Sequence, residues 1–135
     1  RIPFMMQWNG KIPAGMVYDK PVISLDILPT VAVAARAEVT HDIDGVDLMP
    51  YLVGNKSNQP HEYLFWRQNE KTALRMQDWK IVNHSLDKSN SAWRLYKLGD
   101  DIGETNDLKK KFPKKFDELY NKWQELNGQM LKPLF

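Results

Sequence analysis

At 135 residues the chain is long enough for one domain with a real core, which would bury roughly two-thirds of its unfolded surface, and it carries 19 basic against 17 acidic side chains. A net charge of +2 is too small to imply a nucleic-acid or membrane partner through its field alone. Cysteine is absent, which excludes disulfides, thiolate metal sites and cysteine nucleophiles but leaves the compartment open; no apolar run approaches the roughly 20 residues that span a bilayer.

Residues 1–8, RIPFMMQW, are apolar almost without interruption from Ile2 to Met6 and predict a strand buried on both faces. No initiator Met precedes Arg1, so the strand is expected to belong to a sheet begun by earlier chain. Residues 9–15, NGKIPAG, are a turn-rich loop. Residues 24–36, SLDILPTVAVAAR, predict a helix with Ser24 as N-cap and Asp26 in its first turn. Pro29 either kinks this helix or marks where its regular part begins. Because it is apolar nearly all round, the helix is expected to be largely buried. Strand, loop and helix together look like the last βα unit of a parallel sheet whose other strands lie elsewhere.

Residues 38–60 form a connector with a short helix over 46–53, entered through Asp44 and Gly45 and ended by Gly54, followed by the loop NKSNQP. Residues 63–98 hold four short aromatic and branched segments that predict an antiparallel meander. Trp79 and Ile81, then Trp93 and Leu95, alternate with Lys80 and Arg94, giving a sheet with one buried and one wetter face. Residues 99–108, GDDIGETNDL, are turn-forming throughout. The last helix is expected to start with Pro113 at its first position, run to about Asn127 and stop at Gly128. Phe112, Phe116, Leu119, Tyr120, Trp123 and Leu126 share one stripe of it, which would lie across the sheet. Six lysines between Lys109 and Lys122 make the helix locally basic and read as its solvated face. The expected fold is α/β: a terminal strand and helix of a larger domain (residues 1–37), a connector (38–61), and a four-stranded antiparallel sheet packed on a long helix (62–135).

Reacting groups are harder to find. His41, Asp42 and Asp44 lack helical ligand spacing and sit beside a glycine turn, so turn chemistry outweighs metal binding. Asp100 and Asp101, next to Gly99, read as a turn; His61 and His84 read as surface side chains. Trp79, Trp93 and Trp123 fall on expected core faces rather than on a sugar-stacking platform. The exposed candidate is the turn RQNEK, residues 67–71, whose cations and amides on a rigid hairpin suit an anionic or polyhydroxyl ligand as well as plain solvation.

The blocks RIPFMMQWNGKIPAG, SLDILPTVAVAA, DGVDLMPYLVG, HEYLFWR, ALRMQDWKIV and LYKLGDDIGETNDL, in this order and spacing, resemble the C-terminal portion of the type I sulfatases of the alkaline phosphatase superfamily, and most nearly the bacterial enzymes acting on sulfated carbohydrates. The resemblance covers nearly the whole chain. It implies a missing N-terminal catalytic domain of the same protein as partner, bearing the formylglycine made from C-x-P-x-R or S-x-P-x-R and the carboxylates that hold calcium. Neither pattern occurs here, so no catalytic or metal-binding residue carries over onto this chain. It implies further that the C-terminal subdomain helps shape the pocket for a sulfated sugar or aryl sulfate. Arg67 and Gln68 stand where many relatives have an acid and a His, and are the candidate substrate contacts. A periplasmic or secreted location follows from the same likeness, with no nucleic acid and no membrane span. The alternatives are a free-standing binding module and a fragment of a related phosphodiesterase or phosphonate hydrolase.

Overall fold

The computed structural model describes residues 2–84 and 92–131, and the chain divides into two compact units, Arg1–His61 and Glu62–Phe135.

In the first unit the expected strand over residues 1–8 does not form: residues 2–8 have no ladder partner and adopt no regular structure. A strand satisfies its backbone only against a neighbour, and the described sheet consists of four later strands. Ile2, Phe4, Met5 and Trp8 of this segment are accordingly exposed, Met5 at 91%. A single 3₁₀ turn, Ser24–Asp26, leads into helix α1, Ile27–Ala34. Ser24 does not cap it; the N-cap position is Asp26. Pro29 sits in the first turn, where its missing N–H is no loss. At the other end Arg36 takes φ +56° and Ala37 N–H reaches back to Ala32 O at 2.8 Å, closing the helix as a Schellman turn. Contrary to the expectation of a largely buried helix, only Pro29, Thr30 and Ala32 of α1 are buried; Leu28 is 60% and Val33 56% exposed. The short connector helix α2, Met49–Leu52, is smaller than the 46–53 expected. Gly54 at φ +80° ends it, a conformation glycine adopts without cost.

In the second unit the meander forms as β1 Tyr63–Gln68, β2 Lys71–Met76, β3 Trp79–Asn83 and β4 Trp93–Lys97, in that order across one antiparallel sheet. Residues 85–91, which the expected meander included, lie outside the described residues. Two-residue loops join β1 to β2 and β2 to β3, pairing Gln68 with Lys71 and Met76 with Trp79. Their first residues, Asn69 and Gln77, both have φ near +55°. Helix α3, Pro113–Gln129, starts where expected but runs through Gly128, two residues beyond Asn127. A glycine inside a helix costs only about 1 kcal/mol, and this one is outweighed by contacts at that end described below.

The core lies between the sheet and α3: Leu74, Ile81, Trp93 and Leu95 from the strands meet Phe116, Leu119 and Leu126 from the helix. Trp93 packs edge-on to Tyr120 and Trp123 at centroid distances of 5.4 and 4.8 Å; of the tryptophans expected in the core, Trp93 is buried and Trp79 and Trp123 pack against the cluster partly buried. The opposite face of the sheet is not simply wet. Its centre, Leu64, Ala73 and Val82, is buried too, and polarity is confined to its margin, where Lys80 pairs with Glu104 at 2.6 Å. The 99–108 loop finishes the β4 edge: Leu108 N–H donates to Leu95 O at 2.8 Å, and Leu95 N–H donates to Asp107 Oδ1 at 3.1 Å.

Candidate functional site

The β1–β2 hairpin carries the candidate residues, and strand alternation sends them to opposite faces. Arg67 follows Tyr63 and Phe65 toward α3. Its guanidinium donates to Asn127 Oδ1 at 2.9 Å and to the carbonyl oxygen of Leu131, so it grips the C-terminal end of the helix. Gln68 lies on the other face with Trp66, which is 40% exposed; Gln68 itself is exposed and paired across the strand with exposed Lys71. Just behind the tip, Thr72 Oγ1 donates to Trp66 O at 2.8 Å and accepts from Trp123 Nε1 at 2.7 Å. A neutral hydroxyl thereby ties both strands to the helix, and the outward-facing Trp66–Gln68–Lys71 surface stands on a rigid support. Such a surface offers an aromatic face, an amide and an ammonium: the chemistry of a polyhydroxyl or anionic ligand.

A second constellation lies within the first unit. Asp26 is fully buried and its carboxylate collects Ile23 N–H at 2.9 Å, Val46 N–H at 3.0 Å and His61 Nε2 at 2.9 Å from both oxygens. Thr30 Oγ1 donates to Asp26 O at 2.6 Å and accepts from Leu48 N–H at 2.9 Å. Gly45 makes this possible: a Cβ there would fall 2.1 Å from Leu25 O, so only glycine lets the connector approach closely enough for Val46 to reach the carboxylate. With two backbone amides already bound, Asp26 acts as an anchor for three chain segments and not as half of a catalytic dyad. Sequence reading places Asp26 only as a first-turn charge and His61 only at the surface, whereas the His61 side chain is 10% exposed. The signal available was the pairing of the SLD and DGVD blocks, whose contact is not local.

The remaining candidates are structural. His41 is exposed, with Nδ1 3.0 Å from Thr40 Oγ1, and Asp42 and Asp44 are exposed. Asp101 accepts Thr105 N–H at 2.9 Å and Asn106 N–H at 2.8 Å, and those backbone donors, Asn106 first, hold its carboxyl below the usual 3.8. Asp100 binds Lys97 at 2.7 Å, and the two acids serve a turn. Burial, with Asp107 next in effect, raises the Tyr96 hydroxyl above its usual range. Among the described residues no three His, Asp or Glu side chains converge as a metal site, and no helix is long and apolar enough to cross a membrane.

A family model described as N-sulphoglucosamine sulphohydrolase, C-terminal, matches residues 1–131. Steryl-sulfatase from Homo sapiens is 45% identical over 98 residues, which span 71% of this chain and 16% of that protein. The Rattus norvegicus steryl-sulfatase is 37% identical over 98 residues, with the same two shares. Among solved structures, Ps i-CgsB matches with a TM-score of 0.74 at 26% identity over 95% of this chain and 29% of its own. A structure in complex with its substrate D-glucosamine-2-N,6-O-disulfate matches with a TM-score of 0.59 at 27% identity over 77% of this chain and 23% of its own. The chain thus spans about one-sixth of the length of these two curated relatives. With the antiparallel sheet and its covering helix shared with solved neighbours, and the family model matched almost end to end, this chain belongs to the N-sulphoglucosamine sulphohydrolase C-terminal family, the C-terminal portion of sulfatases.

Proposed function

We propose that this chain is the supporting, substrate-shaping part of a sulfatase that hydrolyses sulfate esters of a carbohydrate, and that the reacting groups belong to a catalytic domain of the same polypeptide. The observation that carries the reading is the family match over residues 1–131; the hairpin, for its part, presents chemistry suited to binding a sugar or an anion. Formylglycine and calcium would reside in the catalytic domain, and a periplasmic or secreted bacterial enzyme is the setting that suits a sulfated-glycan substrate. Within this chain Gln68 is the side chain that would meet the sugar, with Arg67 holding the hairpin against α3 beneath it.

The test is made on the complete polypeptide. Sulfate release from sulfated mono- and oligosaccharides is expected, with little release of phosphate from the matching phosphate esters; the reverse preference overturns the reading. Gln68→Ala should raise KM severalfold at nearly constant kcat, the mark of a lost ground-state contact. Unchanged KM for the preferred substrate removes Gln68 from the pocket.

A further inference from the structure

The charge of the chain is distributed very unevenly. Residues 109–115, KKKFPKK, carry five lysines and no acid, so the rest of the chain holds 14 basic against 17 acidic side chains. These lysines gather just before and within the first turn of α3, which has no acidic residue. Cations are unfavourable at the positive end of a helix, and a merely solvated face would mix its signs, as α3 does further along, where Lys122 pairs with Glu125 at 3.0 Å. Two of the five are occupied locally: Lys115 pairs with Glu118 at 2.6 Å, and the Lys109 ammonium sits 4.3 Å from the Phe116 ring centroid. Lys110, Lys111 and Lys114 are exposed and contiguous with exposed Phe112 and Pro113. Phe112 is 38% exposed, yet its ring is fixed edge-on to Trp79 at 5.3 Å, and the Lys111 ammonium lies 5.5 Å from its centroid. The result is an aromatic ring packed on Trp79 with one ammonium over it and two more exposed lysines within two residues of it along the chain.

We propose that Lys110, Lys111 and Lys114, with Phe112 between them, form a docking surface for the sulfate groups of a long sulfated polysaccharide, separate from the Gln68 hairpin. This rests on the reading of the parent protein as acting on sulfated carbohydrate. The surface holds the polymer while another unit of it is processed. Its affinity is electrostatic and falls with salt, and the ring adds an apolar face for a sugar.

The complete polypeptide and its Lys110→Glu/Lys111→Glu/Lys114→Glu variant are compared by binding to immobilised heparin over a series of salt concentrations, and by sulfate release from a sulfated monosaccharide. The charge reversals relieve repulsion at the helix N-terminus, so folding should be retained, checked by circular dichroism. The expected result is at least a tenfold loss of heparin affinity and a shallower salt dependence, with monosaccharide turnover unchanged. Equal heparin binding by the two proteins overturns the proposal, as does equally tight, equally variant-sensitive binding of the wild type to duplex DNA or to anionic vesicles. Absence of sulfatase activity in both proteins, with heparin binding intact and lost in the variant, sinks the enzymatic reading instead and leaves a sulfated-glycan binder.

Discussion

A methyl group added at position 45 would meet a main-chain oxygen and not a yielding side chain. Gly45→Ala puts Cβ 2.1 Å from Leu25 O and 3.0 Å from Asp26 N, so the connector must retreat, and with it the Val46 amide that Asp26 holds. The expected cost is about 1–3 kcal/mol, read as a lower unfolding midpoint with loss of hydrogen-exchange protection at Val46; full protection at Val46 in the variant refutes this account. Asp101 makes a second residue-level prediction, on pH. Backbone N–H groups lower its folded pKa, so its ionised form favours the fold. The contribution is complete above the unfolded value near 3.8 and disappears as pH falls through the lower folded value. A side-chain NMR titration should place the Asp101 midpoint below 3.8, and a midpoint at or above it removes the loop clasp. Little at this scale is legible in sequence, because the partners of Asp26 lie 20 and 35 residues away at Val46 and His61, and no local pattern marks a carboxylate that distant donors will surround.

At the scale of elements, Arg67 joins the hairpin to the end of α3 through Asn127 and Leu131. Charge-assisted hydrogen bonds of this kind contribute about 1.5–3 kcal/mol when protected, less here because the site is half-exposed. Arg67→Ala should therefore lower stability by about 1 kcal/mol and speed amide exchange in the last turn of α3, leaving exchange near Phe116 unchanged. Uniform acceleration along the helix would refute a local clamp. The four strands and the helix start are legible because their periods of 2 and 3.6 are internal to each element. The inward face of Arg67 is legible in the same way, from its parity with Tyr63 and Phe65 along β1. The helix end is not: Gly128 looks like a stop until Arg67, 60 residues earlier in the chain, is known to bind Asn127.

For the molecule as a whole, apolar content predicts which segments seek burial but not whether the covering surface is in the same stretch of chain. This is why residues 2–8 and α1 read as buried in sequence while Ile2, Met5, Leu28 and Val33 are exposed. The 135-residue chain alone is expected to bind an apolar dye strongly and to self-associate, whereas the complete polypeptide should do neither; a dye-silent monomeric 135-mer would contradict this. The anchoring of three segments on Asp26 has a consequence during synthesis as well. At about 5–20 residues per second, His61 leaves the ribosome about two to seven seconds after the carboxylate it binds. Until then the Asp26 carboxylate has at most its two amide donors, Ile23 and Val46, so the clasp that joins the three segments closes only after the whole first unit has been synthesised.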